Sequence, residues 1–153
     1  MRKSRKRPRP EPPKPQREIT VNNVLIQVCH HNLLAEPVEA IVNAANGGLA
    51  HGAGVAAAIA SSAGPEFQKE SNFLVKQYGR IPVGSATFTK AGKLPMRYVI
   101  HAVGPKYKDG KNGEDVHLRG CILKSLEIAG TLGISSIALP AISSGIFGYP
   151  KKL

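Results

Sequence analysis

Apolar residues in this chain come in short runs separated by breaks rich in glycine and asparagine, and the spacing within the runs differs. Ile19 to Val28 holds two apolar segments split by Asn22-Asn23, which predicts a hairpin or a strand with a turn. Val38 to Val42, continuously apolar from Ala40, predicts a central strand covered on both faces. The Ala-rich run from Val55 to Ala63 predicts a helix stopped by Gly64. Pro65 to Tyr78 predicts a second helix, with proline at a first helical position and Gly79 at the stop. Its spacing places Phe67, Leu74, Val75 and Tyr78 on one apolar face. Gly84 to Thr89 alternates as a strand, and Arg97 to Val103 is the next, with His101 expected inside it as a packed, hydrogen-bonded residue. Val116 to Ala129 predicts a third helix with Leu118, Ile122, Leu126 and Ala129 on one side, and Ile134 to Pro140 predicts another buried strand.

The breaks carry the candidate chemistry. Between the central strand and the Ala-rich helix lies a loop containing Asn43, Asn46, Gly47, Gly48, His51, Gly52 and Gly54. Strand, glycine loop and helix together make an anion site, because loop N–H groups and the helix N-terminus converge and the helix dipole favours negative charge there. Asn46-Gly47 is also a hairpin signal, but the residues after it do not alternate as a strand. Gly52-Ala53-Gly54-Val55-Ala56-Ala57 fits a loose dinucleotide pattern, yet the loop is long and no strand-end acid follows about 20 residues on. The loop therefore argues for a phosphate ligand and not for a redox cofactor. A second glycine–serine loop, Ala141 to Gly148, follows the last predicted strand. Two N–H-rich loops outside the carboxyl ends of neighbouring strands suit a diphosphate, one loop contributing Gly52 to Val55 and the other Ser143 to Phe147.

Charge changes the picture at one end. Residues 1–17 hold eight Lys/Arg against the single acid Glu11, so most of the chain's +11 lies there. The stretch is proline-rich and lacks Val, Ile, Leu and Phe, so it is expected to be a disordered basic tail ahead of a single domain over residues 18–153. Arg5-Lys6-Arg7-Pro8-Arg9 reads as a nuclear localisation patch, a nucleic-acid arm or a merely solvated tail. No apolar core follows the charges as in a secretory signal, and no apolar run approaches a membrane span, so nucleus or cytoplasm is expected, without secretion or membrane contact. Cys29 and Cys121 give no disulfide framework, and Cys29-His30-His31 has no second ligand pair for zinc, so no metal is expected. No nucleophilic triad or paired carboxylates are legible.

VNAAN, HGAGV and PAISSGIFGYP, in that order and spacing, resemble the macro domain, an ADP-ribose-binding module, from about Val24 onward. The nearest likeness is to the macro domains of multi-domain antiviral ADP-ribosyltransferases and of coronaviruses. The resemblance implies an α/β fold of three layers, α/β/α, with a mixed central sheet. It also implies a further helix and strand, so this chain is expected to lack the family's final helix and strand. By the same resemblance, Asn46 lies by the distal ribose, with His51 and Gly52 lining that end and Phe147 against the sugar. Gly54, Val55, Ser143, Ser144, Gly145 and Ile146 lie at the diphosphate. Asn32 stands where many members have an Asp that contacts adenine, and Ala56 where one hydrolytic branch has an Asp after Gly-Val. No cofactor is implied. Three functions stay open: a reader of ADP-ribose, free or on mono-ADP-ribosylated proteins; a hydrolase releasing ADP-ribose from Asp or Glu, with Asn46, His51, Gly52 and Phe147 as its catalytic candidates; and a nucleic-acid-binding protein acting through residues 1–17.

Overall fold

A computed structural model describes residues 11–153; the basic run Arg5–Arg9 lies outside them. The described residues fall into two compact units, the first ending at Pro37 and the second running Val38–Leu153. In the first unit, β1 (Arg17–Val21) and β2 (Val24–Val28) pair antiparallel around a two-residue turn. Asn22 and Asn23 both have positive φ, 48° and 65°, the backbone that a tight hairpin needs and that asparagine tolerates. The split apolar segment is thus a hairpin, and Arg17, expected in the tail, opens its first strand. A 3-10 turn follows over Leu33–Ala35.

In the second unit, β3 (Ala40–Ala45), β4 (Ala86–Lys90), β5 (Tyr98–Val103) and β6 (Ile137–Ala138) form one sheet in the order β4-β5-β3-β6. β3 runs parallel to β5 and β6, and β4 runs antiparallel to β5, so the sheet is mixed. Helices α1 (Gly54–Ala63) and α2 (Pro65–Tyr78) connect β3 to β4, and α3 (Glu114–Thr131) connects β5 to β6. Alternate residues of the inner strands separate the two faces. Ala40, Val42, Ile100 and Ala102 pack with Cys121 and Ala129 of α3. Asn43 and His101 lie on the other face, where the ring of Phe67 from α2 packs on His101. Helices cover both faces, which is why β3 reads as a continuous apolar run. At the N-terminal end of the sheet, the Glu39 carboxylate accepts from Ser135 N–H, Ser135 Oγ–H and Arg97 Nη1–H, tying the approaches to β3, β5 and β6 together. Those bonds, the Ser135 hydroxyl first, hold its carboxyl at about 2, below the ordinary 4.5.

Three expectations need correction. Tyr78 is 82% exposed, because α2 buries Phe67 and Ser71 and turns its last residue outward. Leu126 is 45% exposed, because the buried stripe of α3 runs through Cys121, Ser125 and Ala129. The last strand is neither long nor buried: β6 has two residues, both half-buried, since it stands at the edge of the sheet with one neighbour.

Candidate functional site

The three parallel strands end at one edge of the sheet, and the chain leaves each of them in a loop. A cavity of about 550 Å³ opens outside those ends. Ala44 and Ala45 close it from β3, Gly104 from the residue after β5, and Pro140–Phe147 from the stretch after β6. Asn46, Ala50 and Gly52–Ala56 form the remaining wall, the last of these being the start of α1. This is the position where open α/β sheets bind ligands.

The first loop is held by its own asparagine. Asn46 Nδ2 donates to the Ala50 carbonyl (2.8 Å), and Ala50 N–H donates back to Asn46 Oδ1 (3.0 Å). Leu49, fully buried at φ +50°, anchors the turn beneath. From α2, Gln68 accepts from His51 N–H and donates to the Leu49 carbonyl. The loop delivers the chain to α1 with Ala53 at its cap, a residue with no side-chain acceptor. The first-turn N–H groups of α1 therefore meet no capping side chain, and Gly54, Val55 and Ala56 of that turn line the cavity.

The second loop is held by backbone bonds. Tyr149 N–H donates to the Ser143 carbonyl (2.8 Å), Gly148 N–H to Gly145 (3.0 Å) and Tyr107 N–H to Phe147 (2.7 Å). Ser144 Oγ is engaged by the Ala141 carbonyl. Ser143 differs: at φ +65° and 5% exposure, its hydroxyl has no hydrogen-bond partner among the described residues. It rests against Gly104, where any Cβ would overlap Ser143 Oγ. Lys106 Nζ lies 5.6 Å from the centre of the Phe147 ring. Among the described residues, no ionisable side chain lines the cavity. N–H groups and the α1 dipole favour an anion there, with the Lys106 ammonium close by.

Most residues singled out from the sequence meet here: Asn46, Gly52, Gly54, Val55, Ser143, Ser144, Gly145, Ile146 and Phe147 all line the cavity. His51 does not. Its ring turns into the core, with Nδ1 3.3 Å from Asn43 Nδ2 and Nε2 3.0 Å from Ser71 Oγ, so its expected place at the ribose end is corrected. Burial lowers its pKa, favouring the neutral ring. Asn32 belongs to the first unit, where its side-chain oxygen accepts from Leu34 N–H (3.0 Å) and caps the 3-10 turn.

Sequence reasoning missed Gly104 and Pro140 as cavity walls and Ser71 and Thr89 beneath the loop, and it placed Asn43 in the loop, whereas β3 continues through Asn43 to Ala45 and buries it. A signal existed for Asn43, since an asparagine inside a strand covered on both faces must find internal partners. Also missed was Glu114, buried at the start of α3, which accepts from the N–H groups of Lys108, Asp109, Gly110 and Asn112. Burial alone would raise its pKa, but these donations prevail and hold it at about 2.

The profile of the family described as macro domain matches residues 42–153. An uncharacterized protein of Saccharolobus solfataricus is 57% identical over 115 residues, covering 75% of this chain and 63% of its own length. An O-acetyl-ADP-ribose deacetylase of Escherichia fergusonii is 44% identical over 126 residues, covering 82% of this chain and 71% of its own. The chain spans less than two thirds of several relatives, among them 23% of a Thermotoga maritima protein and 8% of the Homo sapiens protein mono-ADP-ribosyltransferase PARP14, each 44% identical to it. Among solved structures, the Oceanobacillus iheyensis macrodomain with ADP superimposes with a TM-score of 0.83 at 34% identity, covering 88% of this chain and 72% of that one. The Trypanosoma brucei macrodomain in complex with ADP-ribose gives 0.68 at 35% identity, covering 77% and 47%.

Proposed function

This chain belongs to the macro domain family, and on that basis and the cavity's chemistry we propose that it binds ADP-ribose, free or carried on a mono-ADP-ribosylated protein. One observation carries the reading: the N-terminus of α1, without a side-chain cap, faces Ser143, whose buried hydroxyl lacks a partner, across a cavity without charged side chains. A diphosphate fits both walls. Gly54 and Val55 N–H groups serve one phosphate, and the Ser143–Ile146 stretch serves the other. Asn46 and Gly52 lie at the ribose end, where the Phe147 ring covers the apolar face of the sugar.

Calorimetric titration with ADP-ribose, AMP and NAD tests this. ADP-ribose should bind at least about tenfold more tightly than AMP, which can satisfy one phosphate subsite only. Equal affinities, or no heat with ADP-ribose, would overturn it.

The likeness to a relative named O-acetyl-ADP-ribose deacetylase favours a second reading, hydrolysis of the ester joining ADP-ribose to Asp or Glu. Nothing lining the cavity is a general base: Ala56 has no acid–base group, and the His51 ring points into the core. Hydrolysis would then rest on orienting the ribose and a water with Asn46, Gly52 and Phe147, an effect that reaches about 7–11 kcal/mol in ideal cases. Release of ADP-ribose from a glutamate-linked substrate by wild type, lost in Asn46→Ala with binding retained, would support the enzyme. Tight binding without release above the protein-free blank would leave the reader.

A further inference from the structure

Beneath the first loop runs a chain of buried side chains that the cavity does not touch. Asn43, fully buried on β3, places Nδ2 3.0 Å from His101 Nδ1 and 3.3 Å from His51 Nδ1. The two imidazoles stack with centroids 5.1 Å apart and planes 16° apart, and Phe67 packs on both. Outward, His101 Nε2 lies 3.0 Å from Thr89 Oγ1 on β4, and His51 Nε2 lies 3.0 Å from Ser71 Oγ on α2. Ser71 Oγ–H itself donates to the Phe67 carbonyl (2.9 Å), so toward His51 it acts as acceptor.

Donor counting fixes the protons. An amide nitrogen has two hydrogens, and here each faces one Nδ1. Both Nδ1 atoms are therefore acceptors and both rings carry their proton on Nε2, where Ser71 and Thr89 accept it. One amide thus sets two tautomers. The cost is visible on the same residue: Asn43 Oδ1 is buried without a partner. An orphaned buried carbonyl is unfavourable, so the residue is held by something the nitrogen does. That nitrogen holds His51, which sits between Ala50 and Gly52, both of which line the cavity.

We propose that Asn43 is a positioning residue for the ligand cavity, holding the loop from Asn46 to Gly54 in place by fixing the tautomer and seat of His51 against His101. The inference rests on the ADP-ribose reading, because ADP-ribose is the probe of the loop's shape. Ser71 and Thr89 are the outer ends of the same device, and neither lines the cavity.

The test uses the whole chain and two variants. Asn43→Asp keeps the volume and replaces both N–H donors with an acceptor. Ser71→Ala removes only the acceptor for His51 Nε2–H, at a helix position where alanine is favoured. Long-range nitrogen–proton spectra of imidazole-labelled wild type should show Nε2–H on both His51 and His101. ADP-ribose affinity should fall about tenfold or more in Asn43→Asp and several-fold in Ser71→Ala, changes of the size one or two hydrogen bonds supply. Ser71→Ala should also shift the His51 signals in the folded protein, which a uniform loss of stability would not do. Should Asn43→Asp fail to fold, Ser71→Ala and the wild-type tautomers decide the matter. An Nδ1–H tautomer on either ring, or wild-type affinity in folded Ser71→Ala, overturns the positioning role. Wild type failing to bind ADP-ribose overturns the ligand reading instead, while the spectra still report on the hydrogen-bond chain.

Discussion

Gly145 lines the cavity, and a side chain added there would meet open space. A Cβ there meets no protein atom within 4 Å, and the backbone is not in the left-handed region. Gly145→Glu should therefore fold with a near-native melting temperature yet lose ADP-ribose binding by more than about tenfold, since it sets a carboxylate in the wall where a phosphate is expected and like charges repel at short range. Unchanged affinity by titration would remove the second loop from the phosphate site. At His101 the prediction concerns protons. Burial, reinforced by the neighbouring His51, lowers its pKa from 6.5 to about 3. Above pH 6.5 the residue is neutral folded or unfolded, and its contribution to stability is complete. Below 6.5 the unfolded chain takes up a proton that the folded chain refuses until about pH 3. Stability should therefore fall by about 1.4 kcal/mol per pH unit across that window, and His51, lowered in the same direction, adds to the loss. Glu39 and Glu114, lowered from 4.5 to about 2, contribute only as the pH drops below 4.5. Urea unfolding at pH 7.5, 6 and 5 checks the sign: a flat profile between 6.5 and 5 would contradict a buried neutral His101.

At the scale of elements, each wall of the cavity is braced from behind. The first loop is braced by α2 through Gln68 and Ser71. The second is braced through the segment ahead of α3, where Glu114 gathers four backbone N–H groups and Tyr107 N–H meets the Phe147 carbonyl. Glu114→Gln exchanges one acceptor oxygen for a donor facing N–H groups. It should lower the melting temperature and speed amide exchange at Lys108, Asp109 and Gly110, and weaken ADP-ribose binding only modestly, since Glu114 does not line the cavity and meets it through Lys106 and Tyr107 at Phe147. Unchanged exchange at those amides would show that the carboxylate does not order the segment. Helices and inner strands were legible because periodicity and glycine stops are local: Gly64, at φ +88°, ends α1 where the Ala-rich run ends. Asn22-Asn23 was legible for the same reason, as turn chemistry resides in two adjacent residues. The loops lining the cavity could be found because glycine, asparagine and serine cluster within them. What escaped depends on contacts distant in sequence. The apolar residues of Ile134–Pro140 do not say that the strand lies at a sheet edge, and only packing decides whether Leu126 or Ser125 faces the core. His51 was misplaced because a histidine beside glycines in a ligand loop gives no local sign of which way its ring turns; Asn43 and Ser71 decide that from other elements.

For the whole molecule, the question is how a chain of net charge +11 would hold the proposed anion. Two mechanisms predict different responses to salt. The eight Lys/Arg of residues 1–17 would attract any polyanion through counterion release. If about six phosphates of a single strand were neutralised in this way, its affinity would fall by roughly three-hundredfold between 50 and 200 mM salt. Among the described residues no charged side chain lines the cavity, so in the proposed reading a diphosphate would be held there by backbone N–H groups at hydrogen-bond distance. Such contacts lie well inside the screening length of about 10 Å at 0.1 M. ADP-ribose affinity should therefore change only a few-fold over the same salt range, and saturating ADP-ribose should not displace a labelled single-stranded oligonucleotide from the same sample. Both titrations can be run on one preparation of the full chain. If ADP-ribose affinity instead fell with salt as steeply as oligonucleotide affinity, the diphosphate would be held by the basic charge, and the uncapped N-terminus of α1 with the Ser143 loop would lose its place as the anion site.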